Sequence, residues 1–172
     1  MARIAYPDTT APELAQLVDR IKRERGGKLL NLYRMLLHSP PLAQGWLGLF
    51  TAVRQQCTLP DRARELAIMR IAVLNGADYE FQAHVPFALA AGFDQAQLDA
   101  LKAGETPAGL AESDRAVLAY TDAMTRHVRV PDGVFAAVRA VFSERELVEL
   151  TATIGGYNLV SRFLEALQVD HE

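Results

Sequence analysis

Apolar residues recur along this chain at three- and four-residue intervals from end to end, and strict alternation is nowhere sustained. The pattern predicts helices throughout. Leu14, Leu17, Val18 and Ile21 fall at i, i+3, i+4 and i+7. Thr10 with Glu13 three residues later reads as the capping box of this first helix, with Pro12 in its first turn and Gly26-Gly27 as its stop. A second helix, about 28–38, stacks Leu29, Leu32, Tyr33 and Leu36. Ser39 caps a third with Pro40 at its first position, and Leu42, Trp46, Leu49, Phe50 and Val53 form its apolar face.

A fourth helix starts after Thr58-Leu59-Pro60-Asp61 and stops at Asn75-Gly76. A fifth runs from Ala77 or Asp78 to Gly92, with Pro86 inside it removing one backbone donor and kinking it. Asp94 to Gln97 opens a sixth, 104–112 is a loop, and Ser113 precedes a seventh that runs over about 114–129. Pro131 opens a short eighth, and Ser143 with Glu146 is a capping box for the last. Gly155-Gly156 falls inside that last helix. Glycine there costs about 1 kcal/mol relative to alanine, so the pair implies a break or a closely packed neighbouring backbone. The stretches Glu65 to Ile71 and Glu149 to Ile154 look faintly alike, as two related helical halves would.

At 172 residues, half of them hydrophobic, the chain is expected to form one folded domain with a sizeable core. The formal charge of −3 argues against a nucleic-acid partner, and the basic run Arg20, Lys22, Arg23, Arg25 and Lys28 reads as a solvated helix face. No run of apolar residues is long enough for a membrane span or a signal peptide, so the expected compartment is the cytoplasm. Cys57 is the only cysteine, which rules out an internal disulfide, a Cys-x-x-Cys pair and a Cys-rich zinc site.

Chemistry concentrates between Glu65 and Gly92. Glu80 and His84 are four residues apart, hence about 40° apart around a helix and one turn along it. A carboxylate so placed can orient an imidazole and stabilise its protonated form, although the same spacing also suits an ordinary surface pair. The apolar neighbours Phe81, Val85, Ala88 and Leu89 imply a largely buried helix, in which charges need partners. Glu65 heads a helix that is almost wholly apolar after it, with Met69 and Ala72 on its stripe. Arg70 lies about 140° around from Glu65 and reads as a structural ion pair. His38 and His127 are lone histidines and read as structural, and Tyr33 and Trp46 as core.

The run from Arg64 to Phe93, RELAIMRIAVLNGADYEFQAHVPFALAAGF, resembles the signature helix pair of the carboxymuconolactone decarboxylase family and its AhpD-like superfamily. In the alkylhydroperoxidase branch, a Glu stands twelve residues before a Cys-x-x-Cys-x-x-x-His motif, and these groups form a thiol proton relay. That Glu falls on Glu65 and that His on His84, while Ala77 and Glu80 occupy the two thiol positions. Without a thiolate, peroxide chemistry has no nucleophile. His38-Ser39-Pro40 and Gly156-Tyr157-Asn158 through Arg162-Phe163 extend the likeness over about 30–168. It implies an all-α, AhpD-like fold of eight or nine helices, assembly into trimers or hexamers, and a pocket near subunit contacts.

The resemblance further implies a lyase of aromatic-compound breakdown: cofactor-free loss of CO2, or isomerisation, on a small organic acid or lactone. Glu65, Glu80 and His84 would be the catalytic groups around one water-poor hollow. Tyr79, Tyr157, Asn158 and Arg162 would contact substrate, Arg162 as the carboxylate's cation. No cofactor and no metal is expected, since a Glu-x-x-x-His spacing with no second histidine is not that of a di-iron bundle. The alternative is a non-catalytic oligomer whose cleft binds a small ligand.

Overall fold

The computed structural model describes all 172 residues and contains nine α-helices, one 3₁₀ turn and no strand. They group into two compact units, Met1–Gln56 with Leu164–Glu172, and Cys57–Phe163.

In the first unit a 3₁₀ turn (Pro12–Leu14) leads into α1 (Ala15–Glu24), followed by α2 (Asn31–Leu36) and α3 (Pro40–Gln55). Thr10 does not cap α1, because its amide and hydroxyl both turn back to Asp8 Oδ1, at 2.9 and 2.6 Å. The helix of 28–38 is shorter than expected, at six residues. Ser39 holds the N-cap position of α3 without a side-chain cap. The buried stripe of α3 is Ala43, Trp46, Leu47, Phe50 and Val53, and Leu42 and Leu49 are exposed. Both sets have helical spacing, and the small Ala43 lets the face turn by one position. Nor is the basic run wholly solvated. Arg25 turns inward, donating from Nε to the Tyr33 hydroxyl at 3.0 Å and from Nη1 to Thr51 Oγ1 at 3.1 Å.

The second unit is built on α4 (Asp61–Asn75), where Ala63 and nearly every residue from Glu65 to Ala72 are buried. An all-round apolar helix can only be a central one. It ends at Gly76, whose φ of 66° is the left-handed conformation that glycine adopts without strain. Only Gly76 and Ala77 separate α4 from α5 (Asp78–Ala90). Then come α6 (Gln95–Lys102), α7 (Glu112–His127), α8 (Asp132–Arg139) and α9 (Glu144–Leu167).

Asp94 caps α6, and Ser143 and Glu146 bond reciprocally at the start of α9. Ser113 is inside α7 and is not its cap; Asp114 accepts from the Ala111 amide instead. Gly155-Gly156 causes no break, since α9 is continuous through it. A Cβ on Gly155 would meet nothing within 4 Å, so close packing does not explain that residue either.

Two arginines clamp α4 to α7. Arg62 bonds both oxygens of Asp114, and Arg70 bonds both oxygens of Asp122 at 2.6 and 2.7 Å. Each pair spans 52 residues of sequence. The equal separation means that α4 and α7 run parallel, with clamps about 12 Å apart. Arg62 also lies over the Phe93 ring at 3.9 Å. No helix is long and apolar enough to cross a membrane.

Candidate active site

The short turn at Gly76-Ala77 folds α5 back along α4 and brings His84 to Glu65, nineteen residues earlier in the chain. His84 Nδ1 hydrogen-bonds Glu65 Oε2 at 2.7 Å. On the other edge of the ring, Nε2 makes an ion-pair contact of 3.1 Å with Glu80 Oε1, the partner one helical turn back. The three groups are 2–4 % exposed. Tyr157 of α9 meets the imidazole edge-on at 5.2 Å, and Phe87 lies 5.5 Å away, tilted.

Arg64 completes the cluster. Its Nε donates to Glu65 Oε1 at 3.0 Å and its Nη1 to Asp61 Oδ1 at 2.8 Å. With His84 protonated, two carboxylates face one imidazolium and one guanidinium, so the buried charges sum to zero. That balance is what makes such deep burial tolerable.

Burial pulls the His84 pKa down, but hydrogen bonding to Glu65 and then to Glu80 outweighs it, and the net shift is upward. For Glu65 burial pushes upward, and the bonds and charges of His84 and Arg64 overcome it, leaving the carboxyl below its usual value. Both shifts favour the same state, imidazolium between carboxylates. The arrangement suits proton transfer. The two ring nitrogens point away from each other, each at a different carboxylate, and no group of His, Cys, Asp or Glu side chains converges on a common point.

Other residues singled out by sequence sit differently. α5 is less buried than its composition suggests: Tyr79, Phe81 and Ala88 are inside, while Phe87 and Leu89 are exposed. Asn158 is committed within the protein, donating to Thr125 Oγ1 and the Ile154 carbonyl and accepting from Asn75 and Arg162. Arg162 is exposed and bonds its helix neighbour Asn158. Their described partners form this polar cluster and do not include the triad. Cavities of about 160 Å³, beside Ala77 and Phe81, and about 270 Å³, beside Arg62 and Val117, are not lined by the three ionisable groups. His127 is exposed, and the Cys57 thiol is pushed up by burial and by Glu149. Sequence spacing missed Arg64, whose neighbour Glu65 gave the only hint.

Comparison of folds defines the class first. The chain superposes with a TM-score of 0.84 and 17 % identity on a peroxidase-related protein with an alkylhydroperoxidase AhpD core from Ralstonia eutropha JMP134, covering 99 % of this chain and 92 % of that one. A form of the debrominase Bmp8 in complex with 2,3,4-tribromopyrrole gives 0.80 at 20 % identity, over 100 % and 94 %. A protein of unknown function from Agrobacterium tumefaciens, with a suggested assignment as the antioxidant defence protein AhpD, gives 0.72 at 26 % identity, over 78 % and 93 %. This is an AhpD-like helical protein. No curated protein matches it. Residues 40–123 match the model of the Carboxymuconolactone decarboxylase family. With Cys57 as its only cysteine, the chain lacks the Cys-x-x-Cys pair.

Proposed function

We propose that this protein is a cofactor-free acid/base enzyme, a lyase or isomerase acting on a small, often cyclic, organic acid or lactone. The observation that carries this reading is the imidazole of His84 held between two buried carboxylates. In decarboxylation the bond from carbon to the departing carboxylate breaks, its electron pair passes into the conjugated ring, and the imidazolium proton is delivered to carbon. An apolar setting favours loss of the substrate's charge, and Tyr157 and Phe87 supply aromatic walls beside the ring. Tyr79, buried one residue before Glu80, stays in the proposal as a substrate contact. Asn158 and the exposed Arg162, which bond one another one turn apart on α9, stay in it as well. We also propose self-association as a trimer or hexamer and a cytoplasmic location.

Incubating carboxylated lactones and related small acids in D2O tests the reaction. CO2 release or solvent deuterium at carbon, abolished in a folded His84→Gln variant, supports it. A broad panel without turnover or exchange overturns it. The near-complete burial of all three groups favours one second reading, a ligand-binding member in which the cluster is structural. Ligand-induced stabilisation without turnover would select that one.

A further inference from the structure

The carboxylates on either side of His84 are held unequally. Both oxygens of Glu65 are engaged, Oε1 by Arg64 at 3.0 Å and Oε2 by His84 at 2.7 Å. Arg64 is itself fixed, with its far nitrogen on Asp61 at 2.8 Å and its side chain 11 % exposed. Glu80 meets the imidazole through Oε1 at 3.1 Å, and its side chain is 6 % exposed against 2 % for Glu65. Protonating Glu65 would strip a buried guanidinium and a buried imidazolium of their shared anion at one stroke. Protonating Glu80 weakens the longer of the two contacts with the imidazole.

We propose that Arg64 is a positioning residue that commits Glu65 to its ionised form and so makes Glu80 the carboxyl group that exchanges a proton with His84. The step is a proton transfer: the Nε2–H bond breaks, an Oε1–H bond forms on Glu80, and the neutral imidazole keeps donating from Nδ1 to Glu65. Glu65 then orients the ring through every turnover, while Glu80 and the Nε2 edge handle substrate protons. This deepens the acid/base reading above and rests on it. The titratable or charged groups around the pair are Asp61 and Arg64 on α4, Glu80 on α5 and Tyr157 on α9. The Cys57 thiol, ahead of α4, also feels Arg64.

Carbon-13 carboxyl and nitrogen-15 imidazole NMR of the full chain, titrated from about pH 8 to about pH 3, reads the order of protonation directly. Signals are assigned with E65Q, E80Q and H84Q. In the native protein the Glu80 carboxyl is expected to protonate at higher pH than Glu65. Arg64→Met is expected to raise the proton affinity of Glu65 about tenfold or more, and Arg64→Lys, which keeps the charge, to hold it within about threefold of native. Glu65 protonating first in the native chain overturns the proposal, as does a folded Arg64→Met protein with an unmoved Glu65 midpoint. If Arg64→Met does not fold, the native order and Arg64→Lys decide. No substrate enters these measurements, so a failed turnover screen leaves their outcome intact, and the reverse.

Discussion

Two kinds of charge pairing are mounted on α4, and they behave differently. Arg62 and Arg70 each close a two-pronged pair with an aspartate of α7. Arg64 and Glu65 open instead onto an imidazole that ends at a second glutamate. A guanidinium holds its proton at any pH a protein tolerates, so the clamps have one charge state and serve geometry. An imidazole changes state near neutrality, so the second arrangement stores a proton that can leave. The same helix thus separates fixed pairs from a titratable one, by the partner it offers each arginine.

The comparison breaks most readily at Glu65. Glu65→Ala leaves a buried imidazole and guanidinium without their shared anion, and urea unfolding should show a loss of about 3–5 kcal/mol. A loss under about 1 kcal/mol would place the cluster among surface pairs. Asp114→Ala should cost about 2 kcal/mol, less because the Arg62 side chain is 31 % exposed, although the Ala111 amide loses its acceptor too. Since the arginine keeps its charge, that cost is expected to be the same at about pH 6 and about pH 8.

The cluster should instead follow pH. The His84 pKa is raised from 6.5, so its contribution is complete below that value and drains away as pH climbs through the higher folded one. Glu65 is lowered from 4.5, so its contribution is complete above that value and disappears as pH falls through the lower folded one. The stability difference between native protein and His84→Gln is expected to peak between about pH 4.5 and about pH 6.5 and to shrink on both sides. A flat difference would make the cluster one more fixed fastening. The smallest effect belongs to Arg145, 65 % exposed and paired with Glu149 one turn on. Arg145→Ala should cost about 0.3–0.5 kcal/mol, and less in high salt.

The fold was readable because helix periodicity and glycine stops are local properties. Glu80 and His84 were readable for the same reason, since four residues along a helix is a distance. Glu65 needed more, and its place in an otherwise apolar run together with the family likeness supplied it. Arg64 escaped because adjacent helix positions point about 100° apart, and only the length of the side chain lets its guanidinium fold back. The clamps join residues 52 apart, a separation no spacing rule covers. Leu42 and Leu49 misled because two helical stripes overlap on α3, and packing chose the one through Ala43 and Leu47. The bond from Asn75 to Asn158 joins residues 83 apart and was equally out of reach of any spacing rule.

The two-residue turn at Gly76-Ala77 reaches beyond geometry. It keeps Arg64, Glu65, Glu80 and His84 on a single hairpin, Asp61 through Ala90, whose ends close at little entropic cost. New chain termini opened in the Gly104–Gly109 loop would leave that hairpin uncut. A circular permutant made there would carry these four ionisable groups on one unbroken stretch, as a graft carries its own root.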